Sequence, residues 1–169
     1  MTDFRQDHPD GVILALDQMS AYLQATLTRV WSPIGHTPIV RVSPQRDHLH
    51  FYGALDVLRD QEIALSLPKL DAEHTIHFLE HILSCLPGRS ILILWDRAPW
   101  HKGQARQFVE QHPCLDMLYF PPGCPDLNPQ EHVWKLTRDA VGHLVNYRHI
   151  GDLRRAFHTH LQTTRFRFD

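Results

Sequence analysis

Three carboxylates stand at positions that invite chemistry. Asp17 follows the apolar run Val12–Leu16, Asp96 follows the apolar run Ile91–Trp95, and Glu131 comes three residues after Asn128 at a helix start. A short apolar run ending on an acid reads as a buried strand with the acid at its carboxyl end. In α/β sheets, sites gather at that edge. Two such aspartates on neighbouring strands, met by a glutamate from an entering helix, would make an oxygen-only cluster with no obvious basic partner. Like charges so placed repel unless they bind cations, and oxygen ligands suit hard ions such as Mg²⁺ or Mn²⁺. Two such ions about 3.5–4 Å apart clamp the attacking and leaving oxygens of an in-line phosphoryl displacement.

Each residue also has a plainer reading. Asp17 and Asp96 are equally at home as turn residues, Asp96 opening an Asx turn into Arg97-Ala98-Pro99. Asn128-Pro129-Gln130-Glu131 places Asn at the N-cap, Pro at the first helical position and Glu at the third, a capping-box arrangement. Cap and ligand roles can be successive. Asp56, closing the run FYGALD, is a rival to Asp17 as the first acid. His101, five residues after Asp96, reads either as a residue near the reacting phosphate or as a helix-start residue satisfied by its loop. Trp100 and Trp134 are candidates to pack against nucleic acid, although tryptophans sit more often in cores. Cys114, Cys124, His101 and His112 lack regular zinc spacing.

The elements that must position these groups follow from patterning. Strands are expected at Val12–Asp17, Tyr22–Val30, Ile39–Ser43, His48–Leu58, Glu62–Leu67, Ile91–Trp95 and Leu115–Phe120, with Pro44–Asp47 as a hairpin turn. Helices are expected at Ala72–Leu86 (capped by Asp71), His101–His112, Glu131–His143 and Ile150–Leu161, and Pro121–Pro129 reads as a rigid loop. An antiparallel start followed by alternating strands and helices implies a mixed central sheet with helices on its faces.

Composition narrows the class. The chain has 169 residues, 43% hydrophobic and 21% charged, which fits one ordinary globular domain spanning 1–169. No apolar run approaches the roughly 20 residues that span a bilayer, so a membrane protein is excluded. Three cysteines form no C-x-x-C pair, which points to a reducing, cytoplasmic setting. The formal net charge is −2, yet Pro129–Asp169 holds seven Lys or Arg against four Asp or Glu. Lys135, Arg138, Arg148, Arg154 and Arg155 are therefore candidate phosphate contacts, with a solvated face as the plainer reading of each.

The segments WDRAPWHKG and LYFPPGCPDLNPQEHVWK resemble the catalytic domain of DDE transposases, closest to the mariner superfamily and its bacterial insertion-sequence branch. Asp96, Ala98 and His101 match the second acidic motif; Pro121, Pro122, Pro125, Leu127, Asn128, Pro129, Glu131 and Trp134 match the third, and 34 residues separate the two acids. ILALDQ, Trp31, Gly35, Pro38 and Gly53-Ala54-Leu55 resemble the upstream motifs, so the likeness runs from about Val12 to Leu161. Two departures stand out: Gln18 where the family usually has an acid, and Arg97 where it has Asn or Gly.

The resemblance implies an α/β, RNase H-like fold: a mixed sheet of five or slightly more strands flanked by helices. It implies DNA cleavage and strand transfer with two Mg²⁺ or Mn²⁺ ions on Asp17, Asp96 and Glu131. Element ends and target DNA would be the partners, at the bacterial nucleoid, with a homodimer as the family's working form. The helix-turn-helix region that family members carry has no counterpart before Asp17. The chain is thus expected to be an isolated catalytic domain, the second half of a split reading frame, or a decayed remnant. The competing readings are a non-catalytic DNA-binding or regulatory remnant, a protein-interaction module that borrows the fold, and a stand-alone RNase H-like nuclease.

Overall fold

The computed structural model describes residues 2–24, 31–36, 39, 47–143 and 145–167. Most of the strands expected at Tyr22–Val30 and Ile39–Ser43, residues 44–46 of the expected hairpin turn, and Pro38 of the upstream motif lie outside these residues.

Five strands form one sheet in the order β3-β2-β1-β4-β5. They are β1 (Val12–Tyr22), β2 (His48–Asp56), β3 (Gln61–Leu67), β4 (Ile91–Trp95) and β5 (Leu115–Tyr119). β1, β2 and β3 run antiparallel in turn, while β4 is parallel to β1 and β5 is parallel to β4. The mixed sheet is therefore as expected, with one correction that bears on the site. β1 does not end at Asp17; it runs five residues further, because β2 pairs with it as far as Tyr22↔His48. What ends near Asp17 is the parallel ladder with β4, whose last pair is Ala15↔Leu94. Asp17 and Asp96 each lie two residues beyond that pair, where the two chains part.

Alternation along β1 sends its side chains to two cores. Val12, Leu14 and Leu16 pack with Ile91, Ile93 and Trp95 against α2 (Ala72–Cys85) and α3 (Gln104–Gln111). Met19 and Ala21 pack on the other face against α4 (Pro129–Thr137) and α5 (Ile150–Thr163). Three layers result, each helix burying its apolar stripe on the sheet. Asp71 caps α2 as the sequence predicts, its Oδ1 accepting from the His74 N–H at 2.9 Å.

Other elements differ from expectation as well. The acidic N-terminal segment forms a short helix, α1 (Thr2–Asp7), and Phe4 covers Ile13 and Leu92 at the amino end of the sheet. Six residues are too few to display a helical period in sequence. The helix expected from His101 starts later, at Gln104, after a 3₁₀ turn over Pro99–His101. The helix expected over Glu131–His143 is α4 followed by a wider π turn at Arg138–Gly142.

Candidate active site

Asp17, Asp96 and Glu131 line one open cavity of about 250 Å³, together with Arg97, Asn128 and the loop from Phe120 to Cys124. The long sequence separations between these acids are closed by the sheet and by one hydrogen bond. Asn128 caps α4 by accepting from the Gln130 N–H at 3.1 Å, and its buried side-chain amide donates to the Leu16 carbonyl at 3.0 Å. One residue thus starts the helix and fastens that start beside Asp17. Glu131, exposed in the first turn, is delivered to the same edge.

Gly53, paired with Asp17 across the β1–β2 ladder, completes the fit. A Cβ there would run into the Gln130 amide, the Glu62 carboxyl and the Trp134 ring. Its absence lets α4 lie directly on β2. Trp134 is buried in that contact and its indole N–H donates to Asp17 Oδ2 at 3.1 Å. Trp134 is therefore a core residue and a support for the first acid, not a free surface for bases.

The electrostatics of the cavity are lopsided. Burial pushes the Asp17 carboxyl up to about 7, with the nearby charges of Glu131 and Asp96 adding to the rise. Asp96 moves the other way: the hydrogen bond from His101 holds its carboxyl below the usual aspartate value. That bond, Nδ1 to Oδ1, measures 2.7 Å. His101 is fully buried and stacked on Trp95 with ring centroids 4.6 Å apart, so it reaches the cavity only through Asp96. Arg97 is the one cation lining the cavity among the described residues, and its guanidinium lies 5.6 Å from the centre of the Tyr119 ring.

The donor chemistry suits a hard cation: three carboxylates, one of them held off its normal ionisation by burial first and then by the other two. As the side chains stand, no three His, Cys, Asp or Glu among the described residues gather closely enough to hold an ion. One oxygen of Asp17 accepts from Trp134 and one of Asp96 pairs with His101.

The other sequence candidates fall elsewhere. Asp56 lies at the opposite edge of the sheet, where Oδ1 accepts from the N–H groups of Leu58 and Arg59 and Oδ2 pairs with the Arg59 guanidinium at 2.9 Å. It closes its own turn. Cys114 and Cys124 are exposed, His101 is enclosed, and no zinc cluster forms among the described residues. Lys135 lines a groove beside Glu131 and Asn128. Arg148, Arg154 and Arg155 are exposed further along the chain, Arg155 bonded to Asp152 at 3.1 Å, and Arg138 is half-buried.

Residues 12–154 match the model of the DDE superfamily endonucleases. The chain belongs to that family. A relative, the uncharacterized protein y4pE/y4sA of Sinorhizobium fredii (strain NBRC 101917 / NGR234), is 29% identical over 91 residues, covering 53% of this chain and 65% of that protein. Among solved structures, the Mos1 transposase paired-end complex with left transposon end superposes with a TM-score of 0.75 at 13% identity, covering 98% of this chain and 52% of the Mos1 chain. The mariner Mos1 paired end complex with Mg gives 0.69 at 15% identity over 89% of this chain and 48% of the other. A simian T-cell lymphotropic virus intasome gives 0.53 at 14% identity, covering 88% and 48%. The chain thus spans about half the length of the solved chains it matches and under two thirds of the relative. At such identities the superpositions establish the fold, which is the RNase H-like one the motifs imply.

Gly53, Glu62 and Gln130 support this site from behind. Gly53 was visible as a glycine inside a strand, a pattern that signals close approach of another element. Glu62 and Gln130 carried no comparable signal, since their meeting depends on how α4 crosses β2 and β3.

Proposed function

We propose that the chain is the catalytic domain of a DDE transposase, cutting DNA and joining the freed 3′ end to a target. The observation that carries this reading is the cavity that Asp17, Asp96 and Glu131 line together, with Asp17 kept from ionising normally by burial first and by the charges of Glu131 and Asp96 after it. Such a cluster is stable in its charged form only with added positive charge. Asp17, Asp96 and Glu131 are the residues that would hold Mg²⁺ or Mn²⁺, two ions in this reading. When bound, such ions activate the attacking oxygen and stabilise the leaving one in an in-line displacement at phosphorus.

The chain's own residues do the rest by positioning and charge. Asn128 fixes α4 to β1 and so sets where Glu131 enters. Trp134 and His101 each hold one carboxylate oxygen of an aspartate and so fix how that carboxyl is set beside the cavity. Arg97 places a cation on the rim, where a phosphodiester must pass. Lys135 extends that positive charge along the groove next to Glu131. Residues 1–169 act as one catalytic domain, and recognition of element ends falls to a DNA-binding region outside it, with a homodimer holding paired ends.

The test is a Mn²⁺-dependent nicking and strand-transfer assay on DNA carrying the element ends. Asp96→Asn removes a charge without removing volume, so it should abolish nicking while leaving the melting temperature within a few degrees of wild type. Cleavage by the variant at the wild-type rate would show that the site is assigned wrongly. Cleavage by the wild type without any strand-transfer product would make the protein a nuclease.

A further inference from the structure

The residue after Asp17 points to the opposite face of β1, and there it meets the support of the second acid. Gln18 Oε1 accepts from the Trp100 indole N–H at 3.0 Å, and Gln18 Nε2 lies 2.8 Å from His101 Nε2. His101 Nδ1 lies 2.7 Å from Asp96 Oδ1 and 3.3 Å from the Asp96 carbonyl oxygen. The direction of every bond in this chain is set by chemistry. An indole N–H only donates, so the amide oxygen of Gln18 must face Trp100 and the amide nitrogen must face His101. An amide nitrogen also only donates, so Nε2 of His101 is an acceptor and the ring proton sits on Nδ1. Nδ1–H then donates to Asp96.

The N–H of Ala98 donates to the same Oδ1 of Asp96 at 2.9 Å. Two donors therefore converge on one carboxylate oxygen. We infer that Gln18 is a positioning residue: anchored by Trp100, it fixes His101 as the Nδ1–H tautomer, and His101 in turn commits Asp96 Oδ1 to the scaffold and leaves Oδ2 as the oxygen offered to the cavity. The last step rests on the metal-binding role proposed above; the first two do not. An acid at position 18, as the family pattern usually has, would present only acceptors to Trp100 and His101 and could not hold this tautomer. In this chain the amide is the element that makes the relay work. Partners of this kind behind a ligand orient it, and their loss typically weakens metal binding by about 10–100-fold.

The experiment uses the full chain with ¹⁵N-labelled histidine, the His101 signal being assigned through His101→Gln. In the wild type, Nδ1 of His101 should carry the proton and Nε2 should not. Gln18→Met keeps the length of the side chain and removes both hydrogen bonds; its His101 should show mixed tautomers. Trp100→Phe frees the Gln18 amide to turn and should show the same mixing to a smaller degree, which keeps the test open should the first variant fold poorly. Calorimetry with Mn²⁺ alone should show affinity falling by about 10–100-fold in Gln18→Met. A proton on Nε2 in the wild type, or a Gln18→Met variant with unchanged tautomer and unchanged Mn²⁺ affinity, would overturn the inference. A wild type with the stated tautomer but no Mn²⁺ binding would overturn the metal-dependent function and leave the Gln18–His101–Asp96 arrangement standing.

Discussion

Asp17 holds the conflict on which the site depends. Its carboxyl is raised from 3.8 to about 7, first by burial, then by Glu131, with Asp96 adding less. Between those values the unfolded chain has given up a proton that the folded chain keeps. The contribution of Asp17 to stability is therefore full below pH 4, declines as pH rises through that window, and is gone above about pH 7. Asp17→Asn should remove this dependence. Melting in EDTA should show the variant matching wild type near pH 4 and exceeding it at pH 8, by something on the order of 2–4 kcal/mol. A variant less stable than wild type at pH 8 would mean that Asp17 is not under the strain assigned to it. Because the same substitution removes a proposed ligand, nicking should vanish as stability rises.

Glu62 repeats this logic away from the cavity. Burial holds its carboxyl well above the usual glutamate value, with the hydrogen bond from Gln130 opposing the rise. Gln130 Nε2 donates to Glu62 Oε1 at 2.7 Å, while Glu62 Oε2 and Gln130 Oε1 are both buried without partners among the described residues. A proton on Glu62 supplies the missing donor, and a carboxylic acid facing an amide can then form both bonds. This contribution is present below about pH 4.5 and is lost as pH rises through the folded value. Glu62→Gln provides the donor at every pH, so it should raise the melting temperature at pH 8 by a few degrees and leave it nearly unchanged at pH 4. Equal melting temperatures at both pH values would show that Glu62 is not buried as a neutral acid.

At the scale of elements, the deciding contact is that of α4 with β1 and β2. Gly53→Ala adds one carbon where Gln130, Glu62 and the buried Trp134 ring already meet; the first two side chains can swing aside, but the ring can yield only by shifting with α4. Overpacking of this kind costs about 1–3 kcal/mol. Nicking should fall more than stability predicts, because the helix that lifts carries Glu131. An unchanged nicking rate at a lowered melting temperature would separate packing from positioning. This contact also shows what could be read from sequence. Asn128 was legible as a cap because its spacing to Pro129 and Glu131 is local. The strand Ile91–Trp95 with Asp96 after it was legible because an unbroken apolar run fits a strand covered on both sides. The second bond of Asn128, to Leu16, was not legible, since it spans 112 residues. Nor was the true extent of β1: its end depends on pairing with β2, which the run VILAL alone does not encode. His101 was legible as a neighbour of Asp96 but not as an enclosed one, because its partner Gln18 reaches it from β1, 83 residues away.

For the molecule as a whole, the proposed function raises the question of how a chain of net charge −2 would meet a polyanion. The positive excess after Pro129 gave five equivalent candidates, and the fold makes them unequal. Lys135 stands in the groove that adjoins Glu131, and Arg97, outside that stretch, stands in the cavity itself. Arg155 is exposed on α5 and already bonded to Asp152. If DNA enters over the cavity, Lys135 and Arg97 neutralise phosphates and Arg155 does not. Each phosphate contact contributes about 0.7–0.9 to the slope of log affinity against log salt. Lys135→Ala and Arg97→Ala should each lower that slope by about this amount, measured by fluorescence anisotropy without divalent metal, and their double variant by the sum. Arg155→Ala should leave the slope unchanged. The reverse pattern, with Arg155 altering the slope and the cavity residues silent, would place the nucleic acid on α5 and remove it from the three carboxylates.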